Sequence, residues 1–164
     1  MSGDVLAKAL GSGGKVVIIE GNPGADNAQQ RKRGFDDSVK EGKLDLVDSR
    51  TAHWETEEAN SVFSNILTAH PDVQGVMAAN DSMALGVVKA IDASGKSGKI
   101  KVVGFDNIAA VQPLLKDGKL IATVDQFGSQ MAANGIDYAM KALKGEKLEG
   151  WIKTPIKLVT ASGY

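Results

Sequence analysis

Cysteine is absent from all 164 residues. That absence excludes disulfides, thiolate nucleophiles and the commonest structural zinc sites. An excess of one charge is lacking as well: 19 basic and 20 acidic side chains leave a net charge of −1. No basic surplus exists to neutralise phosphates, so nucleic acid is not an expected partner. Histidine is limited to His53 and His70. Neither stands in a Ser/His/Asp order with a nucleophile elbow or in metal-ligand spacing, so no catalytic residue, no metal and no cofactor is expected, and the chain does not read as an enzyme. No run approaches the roughly 18 apolar residues of a membrane span. Residues 1–14 (MSGDVLAKALGSGG) have no basic region followed by an apolar one, so no signal peptide is expected, and the chain in this form would stay in the cytoplasm.

What is present is alternation. Residues 15–20 (KVVIIE) are a β-branched run between Gly-Gly and Gly-Asn-Pro-Gly and read as a buried strand. Further strands are expected over 44–49, 73–78, 100–105 and 120–124, with a last short one over 154–159. Helices fall between them. One is capped by Asp26 or Asn27 and stops at Gly42. One runs over 55–69, with Ala59, Val62, Phe63 and Ile66 at helical spacing, and ends at His70-Pro71. A third covers 81–93, with Met83, Ala84, Val87 and Ile91 on one face. A short one is expected over 107–116. The last, over 127–143, would turn Met131, Gly135, Ile136, Ala139 and Leu143 inward. Strands alternating with helices of this length predict an α/β fold: a flavodoxin-like doubly wound parallel sheet of order 2-1-3-4-5, in one unit spanning residues 1–164.

In such a sheet ligands bind beyond the carboxyl ends of the strands. Those ends carry Asn22, Asp26, Asn27 and Arg31, then Arg50, His53 and Trp54, then Asn80 and Asp81, then Asp106, then Asp125 and Gln126. Planar, bidentate hydrogen-bonding groups dominate. A carboxylate accepts from two neighbouring hydroxyls, an arginine fork donates to two oxygens, and Asn or Gln does both. An indole offers a flat apolar face to a sugar ring. The set suits a polyhydroxylated ligand. The loop at residues 20–26 lacks the third glycine of a dinucleotide fingerprint and the Gly-Lys-Ser/Thr of a phosphate loop. A phosphoacceptor receiver needs an aspartate where Asn80 stands.

The ordered segments TAHPDVQGVMAANDSMALG (68–86), KVVGFDN (101–107) and DGKLIATVDQ (117–126), with R-x-x-G-F at 31–35 and ALKGEKLEG at 142–150, resemble the ribose-type periplasmic sugar-binding proteins. The similarity runs over residues 3–161 and matches the C-terminal half of that family, the type I periplasmic binding proteins. The resemblance implies one lobe of a two-lobed receptor that closes on a monosaccharide, a pentose or hexose, and delivers it from the periplasm to an ABC permease. It implies ligand contacts from Arg31, Trp54, Asn80, Asp106 and Gln126. It also implies that the 127–143 helix belongs to the missing N-terminal lobe, so that here it folds back onto the sheet or is exchanged in a homodimer. Two other readings share the pattern. One is an excised or engineered lobe without retained binding, and the other is the effector domain of a lactose-repressor-type regulator.

Overall fold

A computed structural model describes residues 1–163. Its central strand, β1 (Lys15–Glu20), has four fully buried side chains, Val16 to Ile19. Burial on both faces is why the run is continuously apolar rather than alternating. β1 pairs in parallel with β2 (Asp45–Thr51) on one side and β3 (Gly75–Ala78) on the other, and β3 pairs with β4 (Lys101–Val103). The sheet order is therefore 2-1-3-4. The expected fifth strand attaches by a parallel bridge between Val103 and Ala122 and by three flanking backbone bonds: Ile121 to Val102, Gly104 to Ala122 and Asp106 to Val124. It is shorter than the 120–124 expectation and shifted: β5 (Thr123–Asp125) pairs antiparallel with β6 (Lys157–Val159) instead.

Right-handed crossovers fix the layers. α2 (Asp26–Glu41) connects β1 to β2 on one face. α3 (Thr56–Ala69) and α4 (Asp81–Ala93) lie together on the other. Their apolar stripes are as expected: Ala59, Phe63, Met83, Ala84 and Val87 are fully buried. The two helices meet closely because residue 86 is glycine; a Cβ there would lie 2.0 Å from the Thr56 carbonyl oxygen.

Residues 1–14, to which the sequence assigned no element, contain α1 (Ser2–Leu10). It packs beside α2 and against β3 and β4, with Leu6 fully buried. Gly75 makes the room: a Cβ on it would stand 2.8 Å from Leu10 and 3.0 Å from Leu6. Two helix starts also differ from expectation. Ala25 occupies the N-cap of α2 without a side-chain bond, in place of Asp26 or Asn27. The helix expected from residue 107 begins with a 3-10 turn at Ala109–Val111 and becomes α5 only at Gln112–Lys116, where Pro113 suits a first turn. Positive φ at Asp106 and Asn107 keeps the helix from starting earlier.

The largest departure is α6 (Gly128–Leu143). None of its residues is buried, and Met131, Ile136, Met140 and Leu143 are 40% to 82% exposed. The inward face expected for this helix is thus turned to solvent, and the helix does not fold back on the sheet. α1 already covers the β3–β4 surface that a returning helix would take. Among the described residues no helix is long and apolar enough to cross a membrane.

Candidate functional site

The carboxyl ends of the strands bring most of the nominated residues together. Arg31, on the second turn of α2, reaches over the sheet edge. Its Nη1 donates to the Ala79 carbonyl (2.8 Å) and its Nη2 to Asp106 Oδ1 (3.1 Å). Gln126, just past β5, donates from Nε2 to the same Asp106 oxygen at 2.6 Å. Asp106 is thereby held from two sides through one oxygen. Its Oδ2 takes no hydrogen bond among the described residues and is left to accept. The backbone N–H of Asp106 donates to Val124 O at 2.8 Å, which ties the loop after β4 to β5.

Aromatic surfaces complete the Arg31 clamp. The guanidinium carbon lies 4.0 Å from the Phe105 ring centroid and 5.3 Å from that of Trp54. A planar cation with two directed bonds and two rings about it has little freedom left. Trp54 sits in left-handed backbone at φ 72°, and its indole covers Gly21; a Cβ at residue 21 would come within 2.2 Å of the ring. Asn80 caps α4, with Oδ1 accepting from Met83 N–H at 2.8 Å. That leaves its amide N–H groups to donate outward. Four of the five nominated residues are thus joined, Arg31, Asp106 and Gln126 by hydrogen bonds and Trp54 through the Arg31 guanidinium, while Asn80 follows Ala79, whose carbonyl Arg31 holds.

The electrostatics are those of a half-buried ion pair. Burial holds the Arg31 guanidinium below its ordinary value, against the pull of Asp106. Burial raises the Asp106 carboxyl, against the pull of Arg31. Both partners move toward neutrality, so desolvation outweighs their attraction. An oxygen-rich ligand that accepts from Arg31 and donates to Asp106 would replace lost hydration at both.

Other residues from the strand-end inventory stand apart. Arg50 is exposed and pairs with Asp48, and His53 pairs with Glu58 at 2.8 Å on the surface. Asn22 turns its side chain onto the Gly24 amide. Phe105 and the inward turn of Asp81 were not foreseen. The signal for Phe105 was its place beside Asp106 at a strand end. Asp81 gave none, since polar residues after a parallel strand normally face water. A cavity of about 330 Å³ adjoins the cluster, lined in part by Asn27, Gln30, Arg31, Phe35, Phe105 and Gln126. Trp54, Asn80 and Asp106 do not line it. Among the described residues no group of His, Cys, Asp or Glu is placed to hold a metal.

Comparison with known proteins gives a consistent picture. Residues 1–147 match the family described as periplasmic binding protein domain. The D-ribose/D-allose-binding protein of Pseudomonas aeruginosa is 47% identical over 163 residues, covering 97% of this chain and 51% of its own length. The ribose import binding protein RbsB of Escherichia coli K12 is 41% identical over 159 residues, covering 97% of this chain and 53% of its own. An ABC transporter periplasmic solute-binding protein from Actinobacillus succinogenes, solved with bound D-allose, superimposes with a TM-score of 0.93 at 38% identity, covering 98% of this chain and 57% of its own. The chain spans about half the length of the curated relatives it matches.

Proposed function

The chain belongs to the periplasmic binding protein domain family, and on that premise we propose that it is the monosaccharide-binding half-site of a receptor feeding an ABC transporter. The observation that carries this is the Arg31–Asp106–Gln126 linkage, set beside Trp54 and Asn80. Arg31 and Asn80 supply donors, Asp106 Oδ2 supplies an acceptor, and the Trp54 indole supplies an apolar face for ring carbons. In this reading the relatives named for ribose and allose indicate a pentose or hexose. The permease and the other lobe are the partners of the whole receptor, which works in the periplasm.

One lobe binds weakly. Small-ligand sites bury most of their ligand, and one lobe alone leaves a sugar half in water. Calorimetric titration of the monomer with D-ribose and D-allose should give a Kd of about 1 mM or weaker. Submicromolar binding by the monomer would overturn the half-site reading. So would heats unchanged by Asp106→Ala at sugar concentrations where the unsubstituted chain responds.

The bare apolar side of α6 supports a second element of the proposal. In the whole receptor it faces the other lobe, and in the chain alone two copies exchange it. Light scattering across a hundredfold range of concentration tests this. A growing dimer that Met140→Glu abolishes supports exchange, and a monomer throughout refutes it.

A further inference from the structure

Asp106 and Asn107 form a tight turn at the centre of the cluster, both at positive φ, 111° and 54°. Non-glycine residues persist in that region only where their surroundings over-determine them. The restraint comes from beneath. The Asn107 N–H donates to Thr123 Oγ1 (3.2 Å), and its Nδ2 donates to Asp125 Oδ2 (3.0 Å). Gln112 Nε2 donates to Asn107 Oδ1 at 2.6 Å. The Thr123 hydroxyl, having accepted from Asn107, passes its single proton toward Asp81, 2.9 Å from Oδ1 and 3.1 Å from Oδ2. Asp81 Oδ2 also accepts from the Ile108 N–H at 3.0 Å. Gly104 leaves space for this carboxylate; a Cβ there would lie 2.1 Å from Asp81 Oδ1. Asp81 and Thr123 have no exposed surface, so neither touches a ligand.

We propose that Asp81 and Thr123 are positioning residues, a buried carboxylate–hydroxyl relay that holds the Asp106–Asn107 turn and so aims Asp106 at Arg31 and Gln126. Its functional meaning rests on Asp106 being a ligand contact, whereas the positioning can be tested without ligand. The relay carries its own readout. Burial pushes the Asp81 carboxyl up to about 6, against the bonds from Thr123, Ile108 and Phe105, and Asp106 adds to the rise. The charged groups around it are Arg31 from α2, Asp106 after β4 and, across Asn107, Asp125 on β5. Protonation turns one acceptor of Asp81 into a donor that confronts donors.

The test is an NMR titration of the whole chain without sugar, from pH 8 to 4.5, following the Asn107 and Ile108 amides and the Asp106 carboxyl carbon. In the unsubstituted chain both amides should titrate with a midpoint near 6, and Asp81→Asn should abolish it. Thr123→Val should shift the resting Asn107 and Asp106 signals while core methyl signals stay put, and Thr123→Ser should restore them. A midpoint that survives Asp81→Asn overturns the relay. So do Asn107 and Asp106 signals indifferent to Thr123→Val. A separate sugar titration distinguishes the two layers: if Asp106→Ala leaves binding unchanged while the relay signals behave as expected, the ligand role of Asp106 fails and the positioning stands.

Discussion

The body from α1 to β5 and the helix α6 are written in similar apolar letters and meet opposite fates. In the body Phe63, Leu6, Ile18 and Met77 vanish from solvent. In α6 Ile136, Met140 and Leu143 recur at helical spacing and remain open. Periodicity reports that a helix has an apolar side; it does not report what that side meets. For α3 and α4 the partner is each other and the sheet, brought close by Gly86. For α6 the corresponding place on the sheet is taken by α1.

Large-to-small substitutions probe this contrast most strongly. Phe63→Ala should cost about 3–5 kcal/mol in urea unfolding, as expected for a filled core position. A smaller loss would mean that the body is looser than its burial implies. Next in size is pH. The Asp81 carboxyl rises from an ordinary 3.8 to about 6, so the folded state holds a proton that the unfolded chain releases. Stability should therefore increase as pH falls from 7 through 6 toward 4, by at most about 3 kcal/mol. Asp106, also raised, acts in the same direction. Asp4 and Asp92, lowered by their hydrogen bonds, oppose it only below about pH 4. Urea midpoints at pH 7 and 4.5 should differ clearly in the unsubstituted chain and much less in Asp81→Asn.

Smaller effects sharpen the comparison. Asn80→Ala removes the α4 cap and should cost about 1 kcal/mol, read from the same unfolding curves. At the low end, Ile136→Ala on α6 should change monomer stability by less than about 0.5 kcal/mol. A cost like that of Phe63→Ala would show the helix packed after all.

Asp81 makes the body itself uneven. A neutral Asp81 suits the fold, while the ionised form accepts from the Thr123 hydroxyl and the Ile108 N–H that support the Asp106–Asn107 turn. The site thus draws on stability that the core supplies, a familiar trade at functional positions.

Much of this was legible beforehand. β-branched runs marked the sheet, the rule that ligands gather at strand ends gave a wider inventory, and the resemblance to ribose-type periplasmic sugar-binding proteins narrowed it to Arg31, Trp54, Asn80, Asp106 and Gln126. Three features were not. α1 was assigned no element because its buried side rests on Leu6 and on glycines elsewhere, Gly75 above all. Phe105 gained its role only when Arg31 crossed the sheet edge to meet it. Asp81 turns inward because its partner, Thr123, lies 42 residues further along, a pairing that no local spacing encodes.

The position of α1 has a consequence for synthesis. The helix that seals the β3–β4 surface precedes the sheet in the chain, and α6 follows β5. As the chain leaves the ribosome, nearly all of its core can close before α6 emerges, Val159 on β6 being the late exception. The apolar side of α6 is thus never needed to protect a half-made sheet, and it meets solvent as a free adhesive beside a core already closed.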